Sequence, residues 1–425
     1  MQFKNSINAG PGMIMNRTQS VNRGAARASG KARRALLSRT VAIALAVASF
    51  ACVQQTASAA DTRAQVKRMF DRLTGTPPSP AVLDALTTSA GAGSQQQLVN
   101  TALQIMNPSN AYSSPFYSVT LKNFATPWTN RDRDVFAPLN DYTATVIGYV
   151  RDNKDFRGIL SDNVLYVGSS GAYSTTDNNM YETLESSNAD LRTVLVERPQ
   201  SSLNGLPAEA TAGVITSRAA SQAFFIAGTN RAMFRFTLIN HLCRDMEQVH
   251  DTTRPPDRIR QDVTRSPGGD SSVFLNNCIG CHSGMDPMAQ AFAYYNFDET
   301  AGKLMYTQDM VQPKYKINSD NFKPGYVTPD DQWENRWRLP GHNTVIGWAS
   351  TLPGKGKGAK SLGQELAASD AFAECQVEKV FRSVCFRSPS DTDDYTQVGS
   401  STASFKNGGN LKQVFAETAA YCAGN

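Results

Sequence analysis

The sequence predicts a mainly α, multi-helical protein with little β. Three observations carry that expectation. Apolar residues recur at helical spacing near both ends of the chain, capping residues stand in front of several of those runs, and only Val164-Leu165-Tyr166-Val167 reads as a strand.

Taken in order, the first helix carries Val66, Met69, Phe70 and Leu73 on one face and stops at Gly75 and Pro77-Pro78. Ser79 followed by Pro80 opens a second, with Val82, Leu83 and Leu86. A third holds Leu98, Val99, Ala102, Leu103 and Met106, and the three make an N-terminal helical unit, 60–110. The segment 111–227 reads as mixed but mainly helical. It has an aromatic lead-in from Tyr112 to Trp128, a helix over 141–153 with Val146, Ile147 and Val150 on one face, the single strand, and a polar loop through Ser186 and Ser187 to Asp190. Asn230 is positioned to cap a helix presenting Phe234, Leu238, His241 and Leu242. Residues 300–360 read as irregular. A C-terminal helical domain, 351–425, holds one helix with Phe372, Val380, Phe381 and Val384 and another with Leu411, Val414 and Phe415.

The first 59 residues are read as a secretory signal. They hold eight basic and no acidic residues, then an apolar run from Val41 to Cys52, then Ala57-Ser58-Ala59. The run is too short to span the roughly 30 Å of a bilayer core. Cleavage is expected near Ala59. Cys52 follows Ser49-Phe50-Ala51, a poor lipoprotein box, so a lipid anchor there is not expected. Removing the leader leaves an excess of acidic residues over basic ones, so the chain's positive charge belongs to the leader and does not argue for nucleic acid. No later segment is apolar enough to be transmembrane, and the expected location is the periplasm or cell exterior.

Such a compartment gives the cysteines meaning. Beyond Cys52 there are six, of which Cys243, Cys375, Cys385 and Cys422 suggest disulfides. Cys375 and Cys385 share one helical stretch and stand about 15 Å apart at 1.5 Å rise per residue, too far to pair with each other. If both pair, each reaches Cys243 or Cys422; buried free thiols are the alternative.

The remaining two lie in "NNCIGCHSGMDPM", Asn276 to Met288, as Cys278-x-x-Cys281-His282. Two thiols at this spacing reach the two vinyl groups along one porphyrin edge and form thioethers, and the adjacent histidine then falls under the iron. A thioredoxin-like motif would place an aromatic before the first cysteine, where Asn277 stands, and a zinc site would need a further ligand from a second cluster. The expectation is one covalently attached haem c, held by Cys278, Cys281 and His282 in a cytochrome c-like haem domain spanning 228–350.

The stretch "CIGCHSGMDPMAQAFAYYNFD", with Met285-Asp286-Pro287 and Asn296-Phe297-Asp298 after the cysteine motif, resembles a secreted, planctomycete-type bacterial family of cytochrome c-like proteins. "SDAFAECQVEKVFRSVCFR", Ser369 to Arg387, is similar to that family's C-terminal helical domain of unknown function. The resemblance implies haem and export and names no substrate.

The iron's other axial position is left unassigned. Met305 and Met310 are far enough past His282 to fold over the opposite face, and His342 sits in a Pro-Gly-His-Asn turn; these three are the candidates. Met285 and Met288 follow His282 too closely, His241 reads as a core residue and His250 as a polar helix-end residue. An open or water-bound face is the alternative. "GKGKGAK" lacks the order of a phosphate loop and reads as a solvated loop or a cationic docking patch. "DTDDY", Asp391 to Tyr395, reads as a polar turn or helix start, and Tyr294 and Tyr295 as porphyrin-packing or core residues. The functional expectation is an exported electron carrier whose partner is a redox protein such as a dehydrogenase or another cytochrome. The alternatives are a peroxidase- or oxygenase-like haem enzyme with an open iron face and a scaffold with structural haem.

Overall fold

The computed structural model describes residues 61–317, 323–341 and 344–424. The expected leader, its cleavage site, Cys52 and His342 lie outside them. Among the described residues the architecture is mainly α, with three two-stranded antiparallel sheets.

Helix α1 (61–74) buries Val66, Met69, Phe70 and Leu73, the face its spacing predicts. In α2 (Pro80–Ala90) the Ser79 hydroxyl accepts from Val82 N–H. In α3 (Gln95–Ile105) Ser94 and Gln97 form a reciprocal capping box. Helix α4 (Asp141–Arg151) differs from the expectation of one apolar face: every residue from Asp141 to Val150 is buried. It is a central helix, and that is why polar Asp141 must be satisfied internally. Its carboxylate accepts from Arg218 N–H at 2.6 Å, Ala219 N–H at 3.1 Å and the Tyr173 hydroxyl at 3.1 Å.

Strand β1 (Leu165–Gly168) pairs with β2 (Leu195–Arg198), Tyr166 opposite Glu197. The polar stretch expected to be loop contains instead a helix, Asn179–Ser186, that buries only Tyr181 and Leu184. Three apolar residues in eight, Met180 beside Tyr181 and then Leu184, are too few to register as a periodic pattern. Helix α5 (Arg231–Thr237) continues into a π-helical turn, Leu238–Leu242. Asn230 does not cap it. The residue is left-handed at φ 60° and its amide donates to the carbonyls of Phe292 and Tyr295. The segment read as irregular contains β4 (Lys303–Tyr306), paired with β3 (Tyr295–Asp298), and the short pair β5 (Gln332–Glu334) and β6 (Lys355–Lys357). Helix α6 (Ile279–Ala289) carries Cys281 and His282, and the C-terminal helices are α7 (Gly358–Ala367), α8 (Asp370–Cys385), α9 (Thr392–Gly408) and α10 (Leu411–Gly424). Asp391 caps α9, so "DTDDY" is a helix start.

One apolar cluster runs from Val66 to Ala423, and α10 packs against α3 and α8. The two ends of the described chain therefore share a core. Disulfides join Cys243 to Cys375 and Cys385 to Cys422, so Cys375 and Cys385 bond elsewhere, as their spacing in α8 requires. Among the described residues no helix is long and apolar enough to cross a membrane.

Lys412 is buried on α10 with its ammonium donating to the Arg151 carbonyl at 2.8 Å. Burial pushes its pKa down to about 8, and burial does the same to Lys314, whose ammonium donates to the Phe225 carbonyl. Between about 8 and the ordinary lysine value of 10.5 the unfolded chain binds more protons than the folded one. Stability should therefore rise with pH across that window, until ionisation of tyrosines freed by unfolding opposes it above about 10. Urea midpoints measured from neutral pH to about 9.5 should climb, and less steeply in Lys412→Met; an unchanged slope in that variant would refute the assignment.

Candidate functional site

Asp270 caps a short turn of helix, its carboxylate accepting from Ser272 N–H. A π-helical turn, Phe274–Cys278, follows, and then α6 (Ile279–Ala289). Cys278 and Cys281 are thus one turn apart on a continuous helical segment. Both are half-buried free thiols, whereas the other four cysteines among the described residues form the two disulfides. Burial, aided by Asp245, raises the Cys281 thiol pKa, and its Sγ lies 3.7 Å from the Met246 carbonyl.

Gly280 and Gly284 lie a turn apart on the face of α6 opposite His282. A methyl group at Gly280 would sit 2.1 Å from His250 Nε2, and one at Gly284 2.1 Å from the Trp337 indole nitrogen. The helix back is therefore closed by an imidazole and an indole that only glycine admits. The segment beyond His250 is also tied to the motif, with Asp251 N–H donating to the Gly280 carbonyl at 2.9 Å. On the other side His282 keeps a side-chain exposure of 21%. Leu275 and Val273, just before the motif, are exposed apolar residues, while Phe274, Ile279, Ile259 and Val263 form a small cluster with Cys278 at its edge.

His282 Nδ1 lies 3.2 Å from Asp286 Oδ1, one turn along α6. Arg231, at the start of α5, grips both Asp286 oxygens, Nε at 2.7 Å and Nη2 at 2.8 Å. Arg260 N–H donates to Oδ2 at 3.2 Å, and its fully buried guanidinium lies 3.7 Å from Oδ1. Arg231 also pairs with Asp262. Burial alone would raise the Asp286 carboxyl; Arg231 and Arg260 outweigh it and hold it well below the usual carboxylate range. An ionised carboxylate only accepts, so the proton between them sits on Nδ1, and the nitrogen left to serve as a ligand is Nε2.

The candidates for a second axial ligand are placed as follows. Met305 lies on β4 opposite Asn296 and lines a cavity of about 190 Å³ with Tyr173, Leu206, Arg218 and Lys303. Met310 is 59% exposed. Met285 and Met288 are buried in the main core. His241 is a core residue: its Nε2 is 2.6 Å from the Tyr142 hydroxyl, its ring stacks on Phe372, and burial holds it neutral. Tyr295 donates to the Ala210 carbonyl and stacks on Phe225, so its ring belongs to the core beside β3. Lys355 and Lys357 are exposed on β6, and Lys360 donates to the Ala208 carbonyl.

The donor set fits covalent haem: two uncommitted thiols one turn apart, and beside them an imidazole with one nitrogen anchored and the other free. Among the described residues no group of three or more His, Cys, Asp and Glu side chains is arranged to hold a metal ion, which leaves the zinc alternative without a further ligand there. Sequence reasoning found the thiols and the imidazole. It missed the roles of Arg231, Arg260 and Asp262; the one legible signal was a carboxylate four residues after His282. No family model, no curated protein and no solved structure matches this chain.

Proposed function

We propose that the protein is an exported c-type cytochrome-like electron carrier with one haem, attached through Cys278 and Cys281 and ligated by His282 Nε2, which exchanges electrons with a redox partner protein. One observation carries the reading: the motif's thiols stay free in a chain whose other described cysteines are disulfide-bonded, beside an imidazole already held through Nδ1. The bound group would supply one-electron chemistry; the chain's part is to staple it, to orient the imidazole, and to keep the back of α6 rigid through His250 and Trp337. The disulfides are compatible with the oxidising compartment that export implies.

A second reading, a haem enzyme with an open iron face, draws support from the placement of Met310 at the surface and of His241 in the core. Full-length protein produced with export and haem-maturation machinery tests both. The expected result is a red protein whose porphyrin survives acid–acetone extraction and whose reduced spectrum is indifferent to carbon monoxide. Ready binding of carbon monoxide would replace the carrier with the enzyme. A colourless product with alkylatable Cys278 and Cys281 would sink both.

A further inference from the structure

We infer that Asp286 is the positioning residue of the haem ligand: through Nδ1–H it fixes the ring and tautomer of His282 and gives it an anionic partner, whose strength Arg231 and Arg260 set. The inference rests on the proposed haem ligation and adds to it a specific control of the iron's electronic state.

The geometry has three parts. First, the carboxylate and the imidazole are on one helix, one turn apart, so their separation of 3.2 Å is set by α6 itself. Second, Asp286 cannot turn away, because both of its oxygens are engaged by Arg231 and its side chain has no exposure at all. Third, the arginines come from elsewhere in the chain, Arg231 from α5 and Arg260 from the loop before the motif, whose ring contact with Tyr315 and hydrogen bond to Thr229 fix it independently. Asp262 shares Arg231 and has no direct contact with His282 among those found.

A carboxylate accepting from the far nitrogen of a ligating imidazole raises the ligand's basicity. The more basic ligand stabilises the oxidised metal. Arg231 and Arg260 draw charge from the same carboxylate and temper the effect. The arrangement therefore works as a graded control: removing the carboxylate's charge weakens the ligand, and removing an arginine strengthens it.

The test uses the full-length holoprotein, with haem content checked by its pyridine haemochrome spectrum so that absence of haem is seen separately from a failure of this inference. Two readings are taken: the reduction midpoint by spectroelectrochemistry, and the iron–imidazole stretching band of the ferrous, iron-57-enriched protein by nuclear resonance vibrational spectroscopy, which reads iron–ligand modes in either spin state. Asp286→Asn keeps an acceptor oxygen and removes the charge. The midpoint is expected to shift upward and the band to fall in frequency, with haem content at the wild-type level. Asp262→Asn leaves Arg231 to Asp286 without touching His282 and is expected to lower the band by less than Asp286→Asn does. Arg231→Gln, which also serves if Asp286→Asn fails to fold, is expected to lower the midpoint and raise the band. An Asp286→Asn protein that loses only thermal stability, with midpoint and band unchanged, would show a purely structural carboxylate and overturn the inference, as would an Arg231→Gln protein with an unmoved midpoint.

Discussion

Serine at both Cys278 and Cys281 is expected to abolish covalent haem completely while leaving the polypeptide fold largely in place. The two effects separate because of where the thiols stand. Both are half-buried: Cys278 packs against the small cluster of Ile259, Val263, Phe274 and Ile279, and Cys281 against the main core from a partly exposed position. Exchanging two such sulfurs for hydroxyls costs the polypeptide about 1–2 kcal/mol, within the ordinary range for single substitutions. For the cofactor they are decisive. His282 sits on a partly exposed face, with Leu275 and Val273 uncovered nearby, so the thioethers would do most of the holding. Acid–acetone extraction followed by spectroscopy should find no residual porphyrin on the double variant, against one per chain in the parent, and far-ultraviolet circular dichroism should stay helical. The single variants should each keep one thioether and so remain coloured. Non-extractable haem on the double variant would place the attachment elsewhere and remove the basis of the functional reading.

What could be seen in advance follows from the range over which the forces act. Helices α1, α2 and α3 announce themselves because their apolar stripes and caps lie within one element: Val66 to Leu73, Ser79 with Pro80, Ser94 with Gln97. Helix α4 carries a weaker message, since a helix buried on all sides has no polar face to mark its period. The helix Asn179–Ser186 buries only Tyr181 and Leu184, with Met180 partly covered and Glu185 tied to Leu139 N–H and Lys122, and its polar composition looks like loop. Asn230 has the composition of a cap, yet tertiary contacts with Phe292 and Tyr295 claim its amide and pull the backbone into the left-handed region. The site divides the same way. Cys278, Cys281 and His282 are near neighbours on one helical segment and legible as a group, while Asp286, one turn on, stands out in the sequence only within the motif Met285-Asp286-Pro287. Arg231 and Arg260 reach Asp286 across sequence separations of 55 and 26, through packing that no local pattern encodes.

Removing the Cys243–Cys375 disulfide by paired alanine substitution is expected to destabilise the fold more than removing Cys385–Cys422. Its loop spans a sequence separation of 132 and that of Cys385–Cys422 spans 37. On the chain-entropy model the longer loop is worth about 5 kcal/mol and the shorter about 4. Each is comparable to a large share of the roughly 5–15 kcal/mol by which folded domains exceed their unfolded state. The longer bridge also has a local task. Cys243 ends the helical run that begins at Arg231, and Cys375 lies in α8, where Gln376 donates to the His241 carbonyl. The bridge therefore pins the far end of the element whose first residue grips Asp286. Urea titrations of the holoprotein should show a lower midpoint for Cys243→Ala with Cys375→Ala than for Cys385→Ala with Cys422→Ala, and both below the parent. Reductant should bring the parent toward the variants. The local role adds a second signature: loss of the longer bridge should shift the haem absorption bands at urea concentrations where helical circular dichroism is still intact. If instead the two pairs lower the midpoint equally and the bands move only with global unfolding, the long bridge is a chain constraint without a hold on α5.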